Sequence, residues 1–334
     1  MNFCVLPAGA WGTAVAIHLT RLGHVVTLLP RTMEEALEMT DHRENRAFFP
    51  GYPLDPNLQI AVELKPALLE AEVVLLACPS KFLRSVCQEV KAALTDARRV
   101  KLFITLCKGL EEKTNLLPSQ ILQEILPGYF HGALSGPTFA GEVAEGKPTA
   151  IVFTSPEHDP YVLEVQKALS NESLRVYTSD DVTGVELGGC LKNVYAIAAG
   201  ICDGLKLGDN AKASLVTRAL PEMVRLGTAL GGQRETFFGL SGLGDLILTC
   251  HGPWSRNRTF GQKITEGESI ASLIEEKNMT VEGYRTAACL RQLCREKGLE
   301  APILEEVHAV LYEKKTPREA IQSLMSRELK AERV

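Results

Sequence analysis

Four segments of the 334-residue chain carry side chains whose types and spacing suit ligand chemistry. Cys107-Lys108-Gly109-Leu110-Glu111 follows an apolar, β-rich run, which puts Lys108 at the carboxyl end of a strand, where open α/β sheets bind ligands. Leu134-Ser135-Gly136-Pro137-Thr138-Phe139-Ala140 is again a strand end passing into a turn, and its small residues let a ligand approach the backbone. Gly184-Val185-Glu186-Leu187-Gly188-Gly189-Cys190-Leu191-Lys192-Asn193 reads as a helix whose glycines each cost about 1 kcal/mol relative to alanine, tolerable where something packs very close. Lys192 projects from that apolar helix, where an unpaired ammonium would be expensive. Gly242-Leu243-Gly244-Asp245-Leu246 is followed by Thr249 and by the donor-rich Ser255-Arg256-Asn257-Arg258. Taken singly, each has an ordinary explanation: a solvated lysine at a strand rim, an aspartate capping a helix, a polar turn.

The elements that must hold these residues fall into two textures. Strand-like runs at 2–6, 25–29, 73–77, 101–105, 149–154 and 174–177 alternate with helical stretches at 11–22, 81–94, 119–126 and 159–169. Strands apolar on both faces and separated by helices imply a parallel, doubly wound sheet. Residues 41–57 read as a polar, proline-bearing loop, long enough to serve a site. From residue 181 only helices are expected, at 182–203, 211–230, 261–265, 286–296, 303–312 and 317–326. The expected architecture is therefore α/β: a Rossmann-like domain, residues 1–178, and an all-α domain, residues 179–334. A ligand cleft between the two is the expected place for chemistry.

After the first strand, Pro7-Ala8-Gly9-Ala10-Trp11-Gly12-Thr13-Ala14 nearly reproduces the G-x-G-x-x-G dinucleotide fingerprint. Gly9 lets the backbone approach a pyrophosphate, Gly12 lets helix pack on strand, and the amides at the helix start face the phosphates. Pro7 stands where the first glycine belongs; it fixes φ and removes an amide donor, which sets it against a tight turn. A glycine turn without a ligand explains the same residues. The second strand ends Leu29-Pro30-Arg31-Thr32, with Arg31 where NAD-binding units carry an acid; an arginine there receives a 2′-phosphate and favours NADP(H) or dual use.

Composition narrows the class. Thirty-six Lys and Arg against 41 Asp and Glu give a net charge of −5, which argues against a nucleic-acid or membrane-surface binder, so an anionic ligand needs a local cationic cluster. The apolar runs at 73–78 and 196–202 fall short of the roughly 18–20 residues a membrane span needs. No secretory leader is read before the first strand. The nine cysteines include no C-x-x-C pair and read as reduced core residues of a cytosolic protein. No His, Cys and carboxylate spacing suggests a metal.

Taken together, the segments resemble NAD(P)-dependent glycerol-3-phosphate dehydrogenase of the bacterial type, over nearly the whole chain. The likeness runs from Trp11-Gly12-Thr13-Ala14 through 45–51 and Cys78-Pro79-Ser80 to Val281-Glu282-Gly283, and is densest over 184–261. It implies reversible reduction of dihydroxyacetone phosphate to sn-glycerol 3-phosphate for glycerophospholipid synthesis, with NADP or NAD, in a cytoplasmic homodimer. Beside Gly9 and Gly12 of the fingerprint, the family pattern puts nucleotide contacts on Ala10, Trp11, Arg31, Lys108, Ala140, Arg256, Thr280 and Glu282. It puts substrate on Lys108, Gly136, Thr138, Lys192, Asp245, Ser255, Arg256 and Asn257, with Lys192 as proton acceptor. Pro7, Ala10 and Cys107 depart from the pattern. The residues suit the chemistry: burial and the cation of Lys108 would bring Lys192 toward neutrality, Asp245 would orient one of the two, and Arg256 with Asn257 offers forked donors to a phosphate. Two other readings compete. One is a related two-domain NADP-dependent dehydrogenase acting on another small phosphorylated or hydroxy-acid substrate; the other is a nucleotide-binding regulator without catalysis.

Overall fold

Val73–Leu76 has no exposed side chain on either face, as a strand must when helices cover both sides of its sheet. The computed structural model, which describes residues 1–156, 160–276, 279–329 and 331–332, places this strand inside an eight-stranded sheet. The strands are β1 (Asn2–Leu6), β2 (Val25–Leu28), β3 (Glu44–Asn45), β4 (Phe49–Pro53), β5 (Gln59–Ile60), β6 (Val73–Leu76), β7 (Leu102–Thr105), β8 (Phe130–Ser135), β9 (Thr149–Thr154) and β10 (Leu174–Ser179). The large sheet is ordered β10-β9-β8-β7-β6-β1-β2-β5, while β3 and β4 form a separate antiparallel pair. Strand order turns back at β1, so the carboxyl ends of β1 and β6 border the switch point where such sheets bind ligands.

The expectation of a wholly parallel sheet needs correction, because β9 runs antiparallel to β8 while the other pairs are parallel. Side-chain alternation reports which faces are buried; it carries no information on a neighbour's direction. The helices linking these strands are α1 (Ala10–Arg21), α2 (Met33–His42), α3 (Leu64–Glu70), α4 (Ser80–Ala93), α5 (Pro118–Ile125), α6 (Ala140–Glu145) and α7 (Pro160–Leu169). Residue 159, the expected start of α7, lies outside the described residues. Helices α2, α3 and α6 go beyond the sequence reading, and the stretch 41–57, read as a loop, holds the end of α2 and the pair β3–β4. Helix α2 buries only Ala36 and Met39, too narrow a stripe to show periodicity, and the Thr32 hydroxyl caps it by accepting from the Glu35 N–H.

Helices α8 (Val182–Gly204), α9 (Asp209–Ala229), α10 (Asp245–His251), α11 (Arg256–Thr265), α12 (Glu282–Lys297), α13 (Pro302–Tyr312) and α14 (Pro317–Met325) complete the chain. Its contacts separate two units, Met1–Cys107 with Pro118–Val182, and Lys108–Leu117 with Thr183–Val334. The division thus falls at Val182 instead of 178, and a short excursion from the first half joins the helical unit, burying Leu110 and Leu117 in that unit's core. By length and composition α8 is able to cross a membrane, which the shorter apolar runs did not suggest, yet it is buried almost throughout. The nine cysteines are all buried and free.

Within the helical unit, α8 and α11 touch backbone to backbone. A Cβ placed on Gly200 would lie 1.9 Å from the Arg258 carbonyl oxygen, closer than any side-chain contact allows. Glu222 of α9 is buried and accepts from the Ile303 and Leu304 N–H groups at 2.9 and 3.0 Å, fixing the first turn of α13. Gly200→Ala should therefore push α11 off α8 and destabilise the protein by about 1–3 kcal/mol. Urea unfolding measures this, and an unchanged midpoint would contradict the close contact.

Candidate active site

Helix α8 is apolar all round because it is the core helix of its unit, and Lys192 sits in its middle with only 6% of its surface exposed. Its ammonium is doubly paired: Nζ donates to Asp245 Oδ1 at 2.6 Å and to Thr249 Oγ at 2.8 Å. The other carboxylate oxygen of Asp245, Oδ2, accepts from Lys108 Nζ at 2.7 Å. Asp245, 1% exposed, is thus the hub of a lysine–aspartate–lysine triplet and not a helix cap; it reaches both lysines, where contact with one of them was expected. It opens α10, and Thr249 one turn later donates back to Oδ1 at 3.2 Å. Gly188 lets α8 come close to the helical turn that precedes α10: a Cβ there would meet the Ser241 carbonyl oxygen at 2.7 Å, four residues ahead of Asp245.

Electrostatics follow from this burial. Loss of hydration pushes the Lys192 ammonium down to about 8, opposed by Asp245 and reinforced by the charge of Lys108. Burial alone would raise the Asp245 carboxyl, but the combined charges and hydrogen bonds of Lys108 and Lys192 hold it below the usual carboxylate range.

A chain of amides sets the register. Asn193 Nδ2 donates to the Lys108 carbonyl at 2.8 Å, its Oδ1 accepts from Asn257 Nδ2 at 2.8 Å, and Asn257 Oδ1 accepts from the Gly283 N–H at 2.9 Å. Ser255 is buried and caps α11, accepting from the Arg258 N–H at 3.3 Å, so 255–258 opens a helix and the alternative explanation as a polar turn falls away. Arg258 is engaged by Asp203 at 2.5 Å, but Arg256 is exposed and has no hydrogen bond or ion pair among the described residues. Glu282 opens α12 beside Gly283, and its charge reaches Arg256; Thr280 is half-buried just before it. Sequence reasoning gave no role to Asn193 or Thr249. Their only signals were adjacency to Lys192 and a one-turn spacing from Asp245.

The first unit carries the remaining expected residues. In the Pro7–Gly12 turn the Ala8 N–H donates to the Leu29 carbonyl at 3.0 Å and the Gly9 N–H to the Pro7 carbonyl at 2.8 Å, so Pro7 closes the turn it was expected to oppose. A Cβ on Gly12 would meet the Pro7 oxygen at 2.7 Å, whereas one on Gly9 would find nothing nearer than 4.0 Å. Gly12 is thus filled by protein and Gly9 faces open space, and α1, with Ala10 and Trp11 in its first turn, has neither a side-chain cap nor an acidic residue there. These features fit a dinucleotide pyrophosphate. Gly136, at positive φ, and Thr138, which donates to the Gly136 carbonyl at 3.2 Å, form the turn after β8, and Ala140 begins α6. Ser135 Oγ, at the end of β8, is buried with no partner among the described residues. Arg31 follows β2, paired with Glu35 at 2.6 Å.

Residues 2–160 match the family described as NAD-dependent glycerol-3-phosphate dehydrogenase N-terminus, and residues 181–322 its C-terminal counterpart. The chain is 43% identical to glycerol-3-phosphate dehydrogenase [NAD(P)+] of Citrifermentans bemidjiense, covering 100% of this chain and 99% of that one. It is 44% identical to the enzyme of the same name from Thiobacillus denitrificans, covering 99% and 100%. The crystal structure of glycerol-3-phosphate dehydrogenase from Coxiella burnetii superposes with a TM-score of 0.91 at 36% identity, covering 98% of this chain and 99% of that one. With both halves matched and whole-chain relatives above 40% identity, the chain belongs to the NAD(P)-dependent glycerol-3-phosphate dehydrogenase family.

Proposed function

We propose that this enzyme interconverts dihydroxyacetone phosphate and sn-glycerol 3-phosphate with Lys192, Asp245 and Lys108 as its proton-handling centre. The observation that carries the assignment is a buried lysine held by one carboxylate that a second lysine shares. The nicotinamide dinucleotide, when bound, supplies or accepts the hydride. In the reducing direction the Lys192 ammonium gives a proton to the substrate carbonyl oxygen; in the oxidising direction its neutral amine takes the hydroxyl proton. Asp245 and Thr249 aim Nζ, and burial, reinforced by the charge of Lys108, keeps the ammonium acidic enough to release its proton.

Arg256, whose guanidinium has no hydrogen bond or ion pair among the described residues, takes the substrate phosphate by charge-assisted hydrogen bonds. Ser255 accepts from the Arg258 N–H and keeps its hydroxyl hydrogen to donate, and Asn257 keeps one N–H. Gly136 and Thr138 complete the substrate contacts. Gly9, Ala10, Trp11, Gly12, Arg31, Lys108, Ala140, Arg256, Thr280 and Glu282 receive the dinucleotide, with Arg31 favouring NADPH. The family resemblance extends the reading to a cytoplasmic homodimer supplying glycerophospholipid synthesis, and the burial of α8 supports a chain that does not insert in a membrane.

Dihydroxyacetone phosphate should drive oxidation of NADPH and NADH in parallel optical assays; silence with both would sink the reading. Lys192→Ala should lower turnover by about 10²–10⁴-fold, the usual range for a lost general acid–base, and near-normal turnover would contradict its role. Alcohol oxidation should rise with pH through about 8, where the amine becomes neutral, and reduction should fall over the same interval. Asp245→Asn removes the charge that raises Lys192, so the residual pH limb should move to lower pH; a limb that stays put would assign it to another group. Arg256→Ala should raise KM for dihydroxyacetone phosphate far more than it weakens NADPH binding, and equal losses would rule out a phosphate-binding role.

A further inference from the structure

The corner of the first unit beside the Pro7–Gly12 turn holds a second ion pair that the catalytic scheme does not use. Arg31 lies two residues beyond Leu29, whose carbonyl accepts from the Ala8 N–H of that turn. Its backbone N–H donates to Glu35 Oε2 at 3.0 Å and its guanidinium to Glu35 Oε1 at 2.6 Å. The guanidinium also lies over the Phe48 ring, 4.4 Å from the centroid. Phe48 is itself tied to the turn: buried Asn45 accepts from the Phe48 N–H at 3.2 Å and donates to the Ala8 carbonyl and Thr13 hydroxyl, both at 2.8 Å. Arg31 is thus fixed against the nucleotide loop with its side chain 58% exposed, and a carboxylate travels with it.

We propose that Glu35 sets the cofactor specificity of this enzyme, its carboxylate offsetting Arg31 so that the pair accepts an adenosine ribose with either a 2′-hydroxyl or a 2′-phosphate. This rests on the reading that Arg31 faces the adenosine ribose. An isolated arginine at the end of the second strand attracts a 2′-phosphate and offers a hydroxyl little. The arginine–glutamate pair is different. A 2′-hydroxyl donates to the carboxylate and accepts from the guanidinium, so both partners are satisfied. A 2′-phosphate gains the guanidinium but meets the like charge of Glu35 within the same few ångströms, and that repulsion lowers the advantage of NADPH. The carboxylate is ionised for this purpose: partial burial opposes ionisation, but hydrogen bonds from Arg31 hold the Glu35 carboxyl below its ordinary range.

The test compares Kd for NADPH and NADH, measured by calorimetry, in the wild type, Glu35→Gln and Arg31→Gln, with melting temperatures and with kcat/KM for both cofactors. Glutamine keeps an oxygen for the Arg31 donors but removes the charge. Glu35→Gln should shift the ratio of the two Kd values toward NADPH on the order of tenfold, and the kcat/KM ratio should follow. Arg31→Gln should shift both ratios toward NADH. A Glu35→Gln ratio that stays fixed while the melting temperature falls would overturn the proposal, leaving Glu35 as a helix-end residue; so would a shift toward NADH. If Arg31→Gln moves the ratio while Glu35→Gln does not, the nucleotide reading stands and the role of Glu35 is lost. If neither variant moves either Kd, the ribose does not reach Arg31 and both fall together.

Discussion

One carboxylate placed between two ammonium groups governs the helical unit. Asp245 alone would be hard to keep ionised where almost none of its surface meets water, and Lys192 alone would be as hard to keep charged. Together with Lys108 they carry a net positive charge, concentrated in a protein whose total charge is negative. That local excess suits the phosphorylated substrate of the proposed reaction, and burial lowers the Lys192 ammonium toward the range the proposed proton exchange needs. Three segments distant in sequence have to agree for this to exist. The small residues of α8 and the Asn193–Asn257 amide chain make them agree.

The same device recurs on the first unit in weaker form. Arg31 is offset by Glu35, as the two lysines are offset by Asp245. In each case the cation is moderated by an acid within hydrogen-bond reach, so the attraction for an anionic group is graded. Full positive charge would favour tight capture; a moderated one favours exchange and discrimination. Arg256 differs: it is exposed, feels the charge of Glu282, and has no hydrogen bond or ion pair among the described residues, which suits the phosphate contact proposed for it.

Much of this was legible in the residues, and the gaps have physical causes. The strands of the sheet core appear as short apolar runs because parallel strands are buried on both faces, and the sequence placed most of them to within a few residues. The same property hid the reversed direction of β9. Helices α2 and α6 escaped because each buries only two residues, so their stripes do not repeat. Lys108, Lys192 and Asp245 were visible as misfits, charges in apolar or glycine-rich surroundings. Asn193 and Thr249 were not, since a polar neighbour on a helix has no pattern of its own until its partner is known. Pro7 was read as an obstacle because the fingerprint asks for glycine; a proline carbonyl serves equally well as the acceptor that closes the turn.

The excursion Lys108–Leu117 has a further consequence. Because the helical unit borrows these residues from the middle of the other half, its gene segment is not self-sufficient. A fragment beginning at Thr183 would possess Asp245 and Lys192 but lack Lys108, leaving the buried acid with a single counter-ion and the core without Leu110 and Leu117. Recombination that swaps one half for another by a single crossover would sever the same loan. The two halves are therefore bound to evolve as one inheritance, although each keeps its own hydrophobic interior.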